Sequence, residues 1–464
     1  MGAGWVIVWS LLAATEVSAT EVSAETWPGF RGDGSGITPA QNLPVHWTPE
    51  EGVAWRTAVE GYGQSSPVVW KDRVFVTSID GPKQERGLLH AFGLADGQRL
   101  WTRELTATQS LKNMFRNSRA ASTPVVDGDG VYVLFAGGQL AGLTHDGQIR
   151  WQRCLVEDYG EFRNGRGLSS SLAQTEHAVI ALVDHDGPSY AVGVSKQTGE
   201  NLWKADRGTR SSSWSSPLVA PGPGHPLVIL SSSGTIEALD GETGRWLWGL
   251  SGLMGNHVPS AGFSGNRLFV GACEAEHIPM NPREVSRSNC SLRLTHTEGK
   301  TGVDVVWRAR RAVSYYSTPL AYRGGVYFVN KVGMLYCLDE QTGEELYVER
   351  IGGHCWASAI GAGDHVYLFL KRGEVVVLKA GPEFEVVAVN RVWSEDEDIA
   401  EEPVSPFPAN LLFSKDKPLD LDSMGEGLLR RIFAYGDPIL YGAAAVEGHL
   451  LLRTGEALIC IRSD

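Results

Sequence analysis

The alternation of apolar and polar positions resolves the chain into short runs of period two rather than the 3.6-residue period of helices. One unit recurs: an apolar strand, a turn with Asp or Thr ahead of Gly, and a large aromatic four residues after that Gly. It stands as HAFGLADGQRLW at 90–101, AGLTHDGQIRW at 141–151, VGVSKQTGENLW at 192–203 and EALDGETGRWLW at 237–248. RLTHTEGKTGVDVVW at 293–307 carries one extra residue, and YCLDEQTGEELY at 336–347 ends in Tyr. The turn glycines Gly97, Gly147, Gly199, Gly244, Gly302 and Gly343 follow one another at 50, 52, 45, 58 and 41 residues. Each unit predicts two strands joined by a tight turn whose Gly takes φ > 0 at little cost. The aromatics Trp55, Trp101, Trp151, Trp203, Trp248, Trp307 and Tyr347 are then structural, each burying its ring against the neighbouring unit from one fixed place on an outer strand.

A second element alternates with the first. Ser/Thr–Pro opens an apolar strand, then a turn and another strand, as in SSPVVWKDRVFVTS (65–78) and STPLAYRGGVYFVN (317–330). Pro at the head of a strand removes no needed donor. Each period thus holds four strands in meander order, the unit of a β-propeller blade. Blade starts fall at 65, 122, 169, 215, 260, 317, 358 and 442. The last unit has only three strands, and VAWRTAVEG at 53–61 offers the fourth, with Trp55 matching the motif aromatics. The expected fold is all-β: an eight-bladed β-propeller of four-stranded antiparallel blades, closed by an N-terminal strand joining the last blade. Seven blades is the second count, because the last two units lack a clean turn motif.

Outside this ring, Gly4 to Ala14 form an apolar run too short to span a bilayer, followed by small-residue cleavage sites after Ala19 and Ala24. This predicts a signal peptide over 1–24, although residues 1–24 hold no Lys or Arg, and hence a periplasmic or secreted protein without a transmembrane segment. Residues 25–52 form an N-terminal extension, 53–464 the propeller, and 393–441 an insertion with a net charge of −7. The six cysteines show neither CxxC nor CxxCH spacing, so no metal site is expected. Cys273 and Cys290 flank one insertion and could pair in an oxidising compartment, the commoner alternative being that most of the cysteines are small buried apolar residues. Cys355, in GGHCWAS at 352–358, precedes a strand and is read as structural.

Composition alters the picture through its charge. The 464 residues carry a net −13, which argues against a nucleic-acid partner. Six inter-blade segments nevertheless sum to +6 and carry Arg116, Arg119, Arg163, Arg166, Arg207, Arg210 and Arg311, with Trp214, Tyr315, Tyr316 and Trp356 among them. These residues are the candidate ligand-binding set: a cationic, aromatic-rimmed funnel for an acidic peptide or other anion. The acidic insertion is a candidate cover for it.

The A-x-D-x-x-T-G-x-x-x-W pattern, best kept in EALDGETGRWLW and YCLDEQTGEELY, resembles the PQQ-type (quinoprotein-like) β-propeller repeat over residues 53–464. WPGFRGDGSGI at 27–37 is similar to the strip preceding the propeller in secreted bacterial members. One branch implied by the resemblance holds PQQ and calcium in the propeller centre, with a catalytic Asp and an adjacent Cys–Cys pair. This chain has no Cys–Cys pair. The other branch, similar to the BamB scaffold of outer-membrane assembly, binds proteins and no cofactor. The expectation is a monomeric binding scaffold for protein or an anionic ligand, with no catalytic residue and no cofactor. A PQQ/calcium-dependent dehydrogenase and a carbohydrate-binding or carbohydrate-processing propeller are the alternatives.

Overall fold

The computed structural model describes residues 23–107, 118–164, 167–274, 280–297, 299–398, 423–432 and 435–463. Nearly all of the expected signal peptide, and residues 399–422 of the acidic insertion, lie outside the described residues. Eight four-stranded antiparallel blades follow one another around a ring, seven of them running from an innermost to an outermost strand in chain order. Blade 1 runs from Val68–Trp70 to Arg99–Thr106, and blade 8 takes three strands from Gly442–Arg462 and its outermost, Val53–Ala58, from the other end of the chain. The ring is closed as the repeat count predicts. Second strands are covered on both faces by neighbouring blades, so they read as unbroken apolar runs; the second strand of blade 3, Ala178–Val183, is buried throughout. Outermost strands have one face in solvent, and Val53–Ala58 alternates between half-buried and exposed positions.

Each motif tryptophan lies on the turn glycine of the next blade. A Cβ on Gly147 would stand 2.8 Å from the Trp101 ring, one on Gly199 2.7 Å from Trp151, and one on Gly244 2.6 Å from Trp203. The indole N–H then donates to a carbonyl of that same next turn: Trp101 to His145 at 2.9 Å, Trp151 to Lys196 at 2.8 Å, Trp203 to Gly241 at 3.0 Å. Trp55 repeats the contact on Gly97 and Leu94, so the closing junction between blades 8 and 1 is built like the others. Trp248 is the exception. The blade it faces has the turn with the extra residue, and its buried indole N–H has no partner among the described residues.

The Ser/Thr–Pro starts form a second circuit. Each hydroxyl accepts the backbone N–H of the equivalent residue one blade earlier: Ser66 to Thr123, Thr123 to Ser171, Ser171 to Ser216, Ser216 to Ser260, Ser260 to Thr318 and Thr318 to Ser358, at 2.8–3.3 Å. At blade 8 the circuit ends on Gly442, where a Cβ would press on Ser66.

Antiparallel order gives the ring two ends. One carries the turns between first and second and between third and fourth strands (the turn face); the other carries the inter-blade links (the loop face). Residues 24–41 enter the centre from the turn face. Lys71, in a blade 1 turn, donates to Glu25 O, and Thr26–Trp27 add to the inner strand of blade 1. Pro28 O accepts from Val126 of blade 2, Gly34 lies against Leu218 of blade 4, and Ile37–Thr38 pair in parallel with the inner strand of blade 7. Gln41 O then accepts from Gly448 in a blade 8 turn. The strip therefore lies across the channel at the turn-face end, against the inner strands of blades 1, 2, 4 and 7.

Of the two readings of Cys273 and Cys290, the structure has the buried one: the possible disulfide between them is not formed. Cys290 opens the third strand of blade 5 within the core, where burial pushes its thiol up to about 12. Cys273 lies three residues beyond Val270, where the chain has turned toward Gly255, to whose carbonyl the Cys273 N–H donates. Cys355 is also buried, its thiol likewise pushed up to about 12, in keeping with a structural role.

Candidate functional site

On the loop face, aromatic side chains from four consecutive junctions touch in series. Tyr315 and Tyr316 follow the outer strand of blade 5 and stack at 3.9 Å between centroids. His354, from the next link, lies edge-on to Tyr315 at 5.4 Å, and Trp356 edge-on to Tyr316 at 5.3 Å. Trp356 meets Tyr441 at 5.2 Å, Tyr441 meets Tyr62 at 6.2 Å, and Tyr62 stacks on Tyr435 at 4.1 Å. Lys371 lies 4.7 Å above the Trp356 ring, and the buried Trp356 indole N–H has no hydrogen-bond partner among the described residues. The return leg of the acidic insertion, residues 435–441, thus completes an aromatic arc begun by the inter-blade links.

Hydrogen bonds hold the far end of the arc. The Tyr62 and Tyr441 hydroxyls lie 2.7 Å apart, Tyr62 donates to Gly436 O, and Tyr435 pairs with the Gln84 amide. Burial raises all three phenols, Tyr435 and Tyr441 to about 12. Asp437 accepts from Gly455 N–H and Thr454, and burial raises its carboxyl above the usual range. Beneath lies Arg453, fully buried and held by Ala457 O; desolvation lowers it to about 10.

Of the candidate set, the structure brings together Tyr315, Tyr316 and Trp356. It disperses the arginines among local partners. Arg207 lies buried between Asp184, at 2.9 Å, and Glu237, and Arg210 reaches the same Glu237 at 3.3 Å. Arg311 pairs with Glu345. Arg119 is buried, donates to the carbonyls of Lys83 and Gln84, and is lowered to about 10 by desolvation. Trp214 donates to Gly167 O at 3.0 Å and Arg163 is exposed; Arg116 and Arg166 lie outside the described residues. Of the candidate arginines among the described residues, Arg119, Arg207, Arg210 and Arg311 are therefore answered locally. Sequence reasoning missed Tyr62, Tyr435 and Tyr441, whose one signal was an aromatic beside each end of the ring closure.

PQQ and calcium would need the propeller's centre, and the residues there do not fit them. Arg31 is buried in the channel, donating to Gly34 O, Ser35 O and, at 3.0 Å, Pro319 O of blade 6. A Cβ on Gly34 would already stand 2.4 Å from Leu218. The chain's own residues, with a buried cation among them, thus stand in the centre of the ring. Among the described residues no three His, Cys, Asp or Glu converge on a metal-sized site, and no helix is long and apolar enough to cross a membrane.

The family described as outer membrane protein assembly factor BamB matches residues 8–183 and 234–382, well over half of the chain. The outer membrane protein assembly factor BamB of Yersinia pestis is 26% identical over 230 residues, which cover 48% of this chain and 52% of that protein; the chain therefore matches about half the length of this relative. Among solved structures, BamB from Moraxella catarrhalis superposes with a TM-score of 0.57 at 12% identity, covering 88% of this chain and 99% of that one. Quinohemoprotein alcohol dehydrogenase from Comamonas testosteroni gives 0.55 at 11% identity, covering 96% and 81%. At such identities these likenesses establish the shared propeller fold and nothing finer. Repeat, ring and family match agree, and the chain belongs to the BamB family of β-propellers.

Proposed function

We propose that this chain is a periplasmic or secreted protein-binding scaffold, monomeric and without chemistry of its own, that serves outer-membrane protein assembly as its relatives are named for doing. The observation that carries the reading is the aromatic arc, a run of touching and partly exposed rings on the loop face. Protein interfaces draw most of their affinity from a few Trp, Tyr and Arg anchors. The strip across the channel supports a surface partner over a small molecule held at the centre. Local pairing of the arginines favours aromatic anchoring over an anion funnel.

Cross-linking from the arc tests this reading. A photo-reactive residue at position 316 or 356 should capture a discrete protein of the cell envelope. Adducts with lipid or glycan in place of protein would replace the reading. Reduction of a dye by the chain loaded with PQQ and calcium would restore the dehydrogenase alternative.

A further inference from the structure

Beside the far end of the arc, at the junction where blade 8 closes on blade 1, lies a cavity of about 460 Å³, within the range of ligand pockets. Its walls include Tyr62 and Tyr435, stacked at 12° between ring planes, and the Gln84 amide that pairs with the Tyr435 hydroxyl. Gly61 and Gly81, both at positive φ, keep part of the wall free of side chains. The charged side chains among the described lining residues are both carboxylates, Asp80 and Glu456. Asp80 is paired with Arg86, whereas Glu456 is exposed and forms no ion pair among the described residues. Aromatic rings with carboxylates, and no cation among the described lining residues, make a site for an organic cation, since ring quadrupoles and carboxylates both attract positive charge.

We propose that this seam cavity receives a guanidinium or ammonium side chain, an Arg or Lys presented by the protein partner held on the aromatic arc. Tyr62 belongs to both features: its ring lies in the arc and lines the cavity. A partner segment lying along the arc therefore brings a side chain to the cavity mouth. The inference rests on the scaffold reading for its source of the cation, and on the cavity alone for its chemistry.

Calorimetric titration of the full chain with N-acetyl-arginine amide tests it, with N-acetyl-glutamine amide as the uncharged control and spermidine as a free polyamine. The arginine amide is expected to bind at one site, with the glutamine amide at least tenfold weaker. Glu456→Gln combined with Asp80→Asn should weaken arginine amide at least tenfold. In that variant Arg86 retains Glu104 at 2.9 Å and is not left unpaired. Tyr435→Phe, which keeps the ring, should bind within twofold of the parent, and Tyr435→Ala at least fivefold more weakly. Absent binding, equal binding of the glutamine amide, or an undiminished double variant overturns the site. Spermidine binding tenfold tighter than arginine amide overturns the protein source and assigns a polyamine. Unchanged partner cross-links from position 356 in the double variant overturn the seam contact but leave the scaffold reading standing, whereas loss of all protein adducts from 316 and 356 in the parent overturns the scaffold reading itself.

Discussion

A turn glycine in this ring answers two demands at once. Gly199 has φ +76° and lies under the Trp151 ring, so a side chain there meets backbone strain and a steric barrier together. Gly265 has φ +59° with nothing within 4 Å of where a Cβ would stand, and meets the strain alone. Gly199→Ala is expected to destabilise by about 2–4 kcal/mol, from left-handed strain plus overpacking, against about 1–2 kcal/mol for Gly265→Ala. Equal losses in thermal unfolding would show that the tryptophan contact contributes nothing. His90 is a second informative residue. Its ring lies 2.8 Å from the Ser78 hydroxyl and 2.9 Å from that of Thr102. Burial first, then Arg453 and Arg99, lowers its pKa to about 3. The unfolded chain takes up this proton near pH 6.5, the folded chain only near 3, so the unfolded state binds more protons in between. The contribution of His90 is complete above pH 6.5 and is lost as pH falls toward 3. His90→Gln should flatten the decline in melting temperature between pH 6.5 and about 4; an unchanged slope would count against the assignment.

Among the elements, the blades were readable in the sequence because their signals are local. The D-x-x-T-G-x-x-x-W spacing marks the third and fourth strands, and Ser/Thr–Pro marks the first. That the same Ser and Thr form an inter-blade circuit was not readable, because each hydroxyl's partner is an N–H in another blade, 40–58 residues away. Ser216→Ala removes the acceptor of the buried Ser171 N–H and should cost about 1–3 kcal/mol in thermal or denaturant unfolding. A loss below a few tenths would mean the circuit adds no stability. From sequence, residues 25–52 read as an extension ahead of the ring, since the partners of the strip within them are inner strands and turns far along the chain. Trp27, fully buried in its pairing with the blade 1 inner strand, is the anchor. Trp27→Ala should destabilise by about 3–5 kcal/mol, and a neutral result in the same unfolding measurement would contradict that role. The site was readable in part for the same reason. Tyr315, Tyr316 and Trp356 stood out in their links, but Asp184, Glu237 and Glu345, which answer the arginines, lie in other parts of the chain and become their neighbours only in the folded ring.

At the scale of the whole molecule, the ring's two ends differ in kind. The chain's own residues 24–41 enter and leave at the turn face and lie across the channel there, while the loop face gathers the aromatics of four junctions and the return leg of the insertion. The central claim is that partners are held on the loop face. Site-specific photo-cross-linking in the native cells tests it most directly, with probes at positions 316 and 356 on the loop face and at 146 and 341, exposed positions in turn-face hairpins. The account predicts discrete protein adducts from 316 and 356 and none above background from 146 and 341. Adducts confined to 146 and 341 would contradict it.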